Sequence, residues 1–261
     1  MSYLFNCEGI TKNYNGEAVV KDINLELPAC GFISLVGSSG VGKTTLFNVL
    51  AGVDKPDAGN VYLDGENITG VTGKVSYMLQ KDLLLEYRTV IDNVILPLLI
   101  RGEKKKTARE YAVSFFPLFG LSGYENKYPN ELSGGMRQRA ALLRTCLTAY
   151  KADGKIHNPV ILLDEPFSAL DAITRRKMQV WYAEIAMQMK VSTLFITHDV
   201  EEALTLSDTV YIMCGKPGII THKIDVKPHR SEYPGGNRDT SFSVSSDFAQ
   251  QKKFVLDAIG D

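Results

Sequence analysis

The sequence predicts an α/β fold, a mostly parallel sheet with helices packed on it and a helical block inserted into it. Two short apolar runs carry that prediction. Phe32-Ile33-Ser34-Leu35-Val36 and Val160-Ile161-Leu162-Leu163 are short, mainly apolar runs of the kind that strands buried on both faces show. Between them, residues from about 83 to 155 read as mainly helical, which sets the block between two central strands. After the second run a helix and two further strands follow, so strands and helices alternate along the chain.

Each element has a local reason. Ile23, Leu25 and Leu27 alternate, which predicts a half-buried antiparallel strand within residues 18–27. A helix is expected from Thr44 to Leu50, closed by Ala51-Gly52. Asp54 to Gly73 is punctuated by Pro56, Gly59, Gly65 and Gly70, leaving room for short strands such as Val61-Tyr62-Leu63. Thr107-Ala108-Arg109-Glu110 has the spacing of a capping box, with Thr107 as N-cap and Glu110 reaching back to it. Ala108, Tyr111, Ala112, Phe115, Phe116 and Phe119 then mark a buried helical face. The helix from about 172 to 190 is expected to turn Val180, Trp181, Ile185 and Met189 inward, and strands are expected at Thr193–Thr197 and Val210–Met213. A loop through the Pro-Gly-Gly stretch and a short helix from Asp247 close the chain.

Composition narrows the function. The 261 residues hold 29 Lys+Arg against 30 Asp+Glu, a net charge of −1, which argues against a nucleic-acid binder working through a broad basic face. No stretch approaches the roughly 18–20 apolar residues of a membrane span, since Val94 to Ile100 is too short and contains Pro97. The N-terminus lacks the basic start and apolar core of a signal peptide. Cys7, Cys30, Cys146 and Cys214 are scattered without a CxxC pair and read as reduced thiols.

The chemistry lies in three motifs. Gly37-Ser38-Ser39-Gly40-Val41-Gly42-Lys43-Thr44 is a complete GxxxxGK[ST] phosphate loop between a strand and a helix. Its glycines let backbone N–H groups surround phosphate oxygens, and the helix N-terminus adds partial positive charge. Lys43 can reach the terminal phosphates, and the Thr44 hydroxyl can ligate Mg²⁺. Asp164 and Glu165 end the second buried strand, at the edge where open α/β sheets bind ligands. Alone they would be ordinary turn residues; with the phosphate loop upstream, Asp164 suits a Mg²⁺ ligand and Glu165 a residue that polarises water. Leu132-Ser133-Gly134-Gly135-Met136-Arg137-Gln138-Arg139 places Ser133 as a helix N-cap. In isolation that is a capped helix; it is also an anion site with no basic residue in its core.

In order, these three motifs with Gln80, Ser168-Ala169-Leu170-Asp171 and Thr197-His198-Asp199 resemble the nucleotide-binding subunit of ATP-binding cassette (ABC) transporters, from about residue 4 to 220. The runs Asp164 to Ala172 and Thr197 to Ala203 are most similar to the nitrate/sulfonate/taurine importer ATPases, a group whose relatives are associated with thiamine-precursor pyrimidines.

The resemblance implies the ABC ATPase fold: a P-loop NTPase core and an N-terminal antiparallel β part at about 1–82 and 156–225, a helical subdomain at about 83–155 and a tail at about 226–261, all one ATP-binding domain. It implies a head-to-tail homodimer closing on two ATP molecules, each between the phosphate loop (Gly37 to Thr44, with Thr45) of one copy and Ser133, Gly134 and Gly135 of the other. Tyr14 matches the adenine-stacking aromatic, an edge-strand tyrosine being the alternative, and Gln80 the glutamine that contacts Mg²⁺ and the attacking water. His198 matches the histidine that holds the γ-phosphate and orients Glu165, and Asp171 the aspartate that links the two sites.

Glu165, His198 and Gln80 are thus the expected catalytic residues, and Thr44, Gln80 and Asp164 the expected metal ligands. A separate integral membrane permease would be the partner, seated near residues 80–100 at the cytoplasmic face of the membrane, with an extracytoplasmic solute-binding protein acting indirectly. An exporter subunit, or a soluble ABC protein without a transport role, are the other readings the same cassette permits. Two features depart from the family pattern: about eight extra residues through Tyr150 to His157, and Leu85-Glu86-Tyr87-Arg88 where the importers often carry Pro-Trp.

Overall fold

A computed structural model describes residues 3–150, 157–168, 170–226 and 243–260. The extension noted above falls largely outside these residues, as do Ala169 and the Pro-Gly-Gly stretch. The chain divides into two compact units, residues 1–74 with 179–261 and residues 75–178.

The first unit opens with an antiparallel sheet. Strand β1 (Phe5–Tyr14) lies between β2 (Glu17–Leu27) and β4 (Ala58–Leu63), and β5 (Glu66–Asn67) extends its edge. Ile23, Leu25 and Leu27 of β2 are fully buried, as their alternation predicts. The second sheet of this unit centres on β3 (Phe32–Val36), which is buried along its whole length. It pairs in parallel with β8 (Ser192–Thr197) and β9 (Thr209–Cys214), and β10 (Ile219–Asp225) joins β9 antiparallel.

Helix α1 (Lys43–Leu50) follows β3 and buries Leu46, Phe47, Val49 and Leu50. Helix α7 (Val200–Leu206) follows β8, and α8 (Ser246–Gly260) begins one residue before the terminal helix expected from Asp247. Val255 and Phe248 of α8 pack with Val200, Ala203 and Leu204 of α7 and with Val210 and Ile212 of β9. Cys7 in β1 is fully buried, and burial pushes its thiol up to about 12, so it stays protonated and packs as an apolar residue.

The second unit carries the parallel pair β6 (Ser76–Met78) and β7 (Val160–Asp164). Among the described residues four helices lie between them: α2 (Val90–Val94), α3 (Leu96–Ile100), α4 (Lys105–Val113) and α5 (Gly134–Thr148), with a 3₁₀ turn at Pro129–Glu131. Helix α6 (Ala172–Gln188) follows β7. Among the described residues, no helix is long and apolar enough to cross a membrane.

Two sequence expectations are corrected. The capping box at Thr107 does not form, because α4 starts three residues earlier with Lys104 as N-cap, and the Lys104 carbonyl accepts the Ala108 N–H at 2.9 Å. Asp92 decides the start: it pairs with Lys105 (3.2 Å) and Arg109 (2.7 Å), four residues apart on one face, and so anchors the first turn from outside the helix. The inward face of α6 is rotated from the expected one. Val180 and Trp181 are half-buried, while Met178, Gln179, Tyr182, Ala183, Ile185, Ala186 and Met189 are buried. Polar partners make the difference: the Tyr182 hydroxyl meets Thr193 Oγ1 at 3.1 Å, and Gln179 Nε2 donates to Glu202 Oε1 at 2.7 Å.

Candidate active site

In each unit the candidate groups leave the C-terminal ends of adjacent parallel strands. In the first, Val36 of β3 pairs with Thr197 of β8, so the phosphate loop and His198 emerge side by side. In the second, Met78 of β6 pairs with Leu163 of β7, so Gln80 emerges beside Asp164 and Glu165. This is the sheet edge at which α/β folds bind ligands.

The phosphate loop follows a path suited to glycine. A Cβ on Gly37 would lie 2.3 Å from the Met213 carbonyl oxygen, and Gly42 combines φ of 108° with a Cβ position 2.6 Å from Val20 Cγ1. Gly42 is the N-cap of α1, whose first turn has no acidic residue and no side-chain cap. Lys43 is buried, and its ammonium lies inside the loop, donating to Gly37 O at 2.8 Å and Ser38 O at 2.9 Å. Ser38, Ser39, Gly40 and Thr44 are exposed, Thr45 is half-buried, and Val41 is buried. A curled backbone, one cation and a helix N-terminus with no competing carboxylate fit a polyphosphate.

His198 is exposed, between the last residue of β8 and Asp199. Asp199 sets its backbone from both sides: its N–H donates to Thr197 Oγ1 at 2.9 Å, and its carboxylate caps α7 by accepting from Glu201 N at 2.9 Å and Glu202 N at 3.2 Å. That capping role follows from the Asp-x-Glu-Glu spacing but is absent from the sequence expectations.

Asp164 is buried at the end of β7, and Glu165 is half-buried with φ of 45°, in the left-handed region that costs a non-glycine residue on the order of 1 kcal/mol or more. The Glu165 carbonyl accepts from Ser168 N at 3.2 Å and Ser168 Oγ at 3.0 Å, which holds this turn. Its carboxylate accepts a hydrogen bond from Gln80 Nε2 at 3.0 Å. The structure thus brings together Gln80 and Glu165, 85 residues apart in sequence. Near them, burial and then the Asp164 charge push the Tyr77 phenol far above its ordinary range, so it stays neutral.

Ser133 caps α5, its hydroxyl accepting from Met136 N at 3.4 Å. Gly134 has open space where a Cβ would stand, and that of Gly135 would make ordinary contact with Thr174 at 3.5 Å. Asp171 is exposed before α6, and its Oδ1 accepts from Thr174 N at 3.1 Å. Hydrogen bonds from the Thr174 side chain and backbone hold the Asp171 carboxyl below its ordinary range. Tyr14 closes β1 with its ring exposed, and its hydroxyl donates to Asp54 Oδ2 at 2.7 Å.

The comparisons with known proteins fit this geometry. Residues 20–168 match the family described as ABC transporter. The chain belongs to the ABC transporter family. It is an ATP-hydrolysing subunit of that family, and several of its relatives are named for import. The formylaminopyrimidine import ATP-binding protein ThiZ of Halalkalibacterium halodurans is 43% identical over 71% of this chain and 69% of its own length. The aliphatic sulfonates import ATP-binding protein SsuB of Bacillus cereus is 37% identical, covering 86% of this chain and 84% of its own. The nitrate import ATP-binding protein NrtD of Synechocystis is 34% identical over 88% and 83%. Among solved structures, a dimeric post-hydrolysis ATP-binding cassette bound to ADP and Pi superposes with a TM-score of 0.70 at 26% identity, covering 85% of this chain and 98% of its own.

Motif reading of this ABC subunit missed a clamp that holds the segment after Gln80 onto the helix headed by Ser133. Arg137 grips Asp82 with two bonds, Nε to Oδ2 at 3.0 Å and Nη2 to Oδ1 at 3.3 Å, and also pairs with Glu86 at 2.9 Å. Arg144 donates to the carbonyls of Leu83, at 2.8 Å, and Asp82. Buried Asn93 ties down the next turn, accepting from Leu85 N at 2.6 Å and donating to the carbonyls of Leu85, Arg88 and Thr89 at 3.0–3.1 Å. The Leu85 to Arg88 departure from the family pattern is therefore an ordered turn. The signal was a pair of arginines inside or just after a motif, both reaching Asp82, 55 and 62 residues away.

Asp82 also gives a pH signature. Burial raises its carboxyl pKa, but the Arg137 hydrogen bond, the Leu84 N–H and the charges of Arg137 and Arg144 together outweigh that and hold it below the ordinary carboxylate value. A depressed folded-state value stabilises the fold at pH above the unfolded value and is lost as pH falls through the folded one. Asp82→Asn is expected to cost about 1–2 kcal/mol in urea unfolding at neutral pH. The gap between the two proteins should narrow below about pH 4. A gap of constant size at all pH would contradict the clamp's electrostatic role.

Proposed function

We propose that this chain is the ATPase subunit of a solute importer of the nitrate/sulfonate/taurine type, working as a head-to-tail pair under a separate membrane permease fed by an extracytoplasmic binding protein. The observation that carries hydrolysis is the Gln80–Glu165 hydrogen bond at the end of β6 and β7. It presents one carboxylate oxygen in a fixed direction, as a residue polarising an attacking water requires.

The phosphate loop and Lys43 bind the β- and γ-phosphates, and His198 holds the γ-phosphate from the end of β8. Ser133 and the glycines after it complete the site of the partner copy with a helix N-terminus, and Asp171 links the two sites. Tyr14 stacks on the adenine. Thr44, Gln80 and Asp164 supply hydroxyl, amide and carboxylate oxygens, a donor set that fits Mg²⁺. When bound, the metal neutralises the charge of the phosphates. Glu165 takes the proton of the attacking water as ADP and phosphate form, and the left-handed turn at Glu165, with φ of 45°, fixes the backbone that carries its carboxylate.

Import is supported by the names of the relatives, which include sulfonate, nitrate and formylaminopyrimidine uptake. The pyrimidine-precursor class is the second reading, favoured by the relative at 43% identity. The test is gentle extraction of the tagged chain from its native membranes, followed by mass spectrometry of what accompanies it. A multi-span permease is expected, and its binding protein can then be screened against sulfonates, nitrate and aminopyrimidines. ATPase activity with no membrane partner would overturn the importer reading in favour of a soluble ABC protein.

A further inference from the structure

The far end of α1 carries a second arrangement, built on residues outside the motifs. Four contacts fasten residues 11–14 of β1 to residues 54–57. The Tyr14 hydroxyl donates to Asp54 Oδ2 at 2.7 Å, and Asn13 N donates to Asp57 Oδ2 at 2.6 Å. Asp57 N donates to Thr11 O at 2.8 Å, and Lys12 Nζ donates to Lys55 O at 2.8 Å. That same ammonium stands 5.2 Å from the centroid of the Tyr14 ring, over one face.

Asp54 is itself fixed to the helix. Val53 N and Asp54 N both donate to Asn48 O, at 2.9 and 3.1 Å, in the last turn of α1. The first residue of α1 is Lys43 of the phosphate loop, so the helix spans about 12 Å between the loop and the anchor of Tyr14.

We propose that Asp54 is a positioning residue for the nucleotide base: it holds the Tyr14 ring at a set distance and orientation from the phosphate loop, using α1 as the ruler. Lys12 covers one face of the ring, which assigns the opposite face to the base. With its proton committed to Asp54, the phenol offers a base a π-face and no hydrogen-bond donor. A ring already fixed loses less freedom when a base stacks on it, so the contribution of Asp54 is preorganisation without direct contact. The inference rests on the reading of Tyr14 as the adenine-stacking aromatic, and the experiment separates the two.

The measurement is calorimetric affinity of the full chain for ATP and for inorganic tripolyphosphate, which carries the phosphates without a base. Asp54→Ala and Tyr14→Phe are each expected to weaken ATP binding about 3- to 10-fold and to leave tripolyphosphate binding unchanged. The double variant should be no weaker than either single one, because both remove the same bond. Tyr14→Ala should lower the ATP-to-tripolyphosphate ratio at least as far. If Tyr14→Ala lowers the ratio and Asp54→Ala does not, stacking stands and the positioning role of Asp54 is overturned. If Asp54→Ala weakens both ligands equally, Asp54 only ties β1 to its neighbour and the proposal fails. An unchanged ratio in Tyr14→Ala removes the stacking reading, and the inference with it.

Discussion

Glu165→Gln is expected to bind ATP as the wild type does and to release phosphate at least about 100-fold more slowly, the usual scale for loss of a positioned general base. The amide is isosteric with the carboxylate and keeps an oxygen for the Gln80 Nε2 donor that now sits 3.0 Å from Glu165 Oε2. The turn is also held independently, by Ser168 N and Ser168 Oγ on the Glu165 carbonyl, so the backbone with φ of 45° should survive. What disappears is the ability to take a proton from water. With chemistry stalled and binding intact, ATP should accumulate in the closed pair. Phosphate release and size-exclusion chromatography with ATP read both effects. Turnover within a few-fold of wild type would remove Glu165 from the catalytic role.

Lys43→Ala should act one step earlier, on binding. The ammonium is buried inside the loop and donates to two of its carbonyls, so it is already placed where a phosphate would draw it. A charge-assisted hydrogen bond contributes roughly 1.5–3 kcal/mol, which corresponds to a rise of about 10- to 100-fold in the ATP dissociation constant. The variant also leaves the Gly37 and Ser38 carbonyls without that donor, so part of the loss is expected as disorder of the loop. Titration with a fluorescent ATP analogue measures the affinity, and unchanged affinity would contradict the loop assignment. The two variants differ in kind, since one stops turnover with nucleotide bound and the other prevents nucleotide from binding.

Much of this architecture is legible in the chain itself. The phosphate loop needs glycines at set positions because a Cβ would strike Met213 or Val20, and that demand appears in the sequence as a spacing. The two central strands are mainly apolar runs because both their faces are covered, and the structure buries both throughout. Ser133 announces its helix because an N-cap is a local interaction, three residues long. Where a nearby polar partner competes, local rules lose. Thr107 and Glu110 have the spacing of a cap, yet Asp92, outside the helix, moves the start to Lys105. Trp181 is among the largest apolar side chains of α6, yet the helix turns Gln179 and Tyr182 inward, because Glu202 and Thr193 satisfy their polar atoms there.

The sequence by itself therefore determined the fold class, the family and the residue types of the candidate site, since each is written in hydrophobic period or in motif spacing. Only the tertiary structure decided which groups meet: Gln80 with Glu165, Arg137 with Asp82, and Tyr14 with Asp54. These pairs are 40 to 85 residues apart, and no local rule links them. Parallel strand register and the length of a helix bring them into contact, and both are properties of the folded chain.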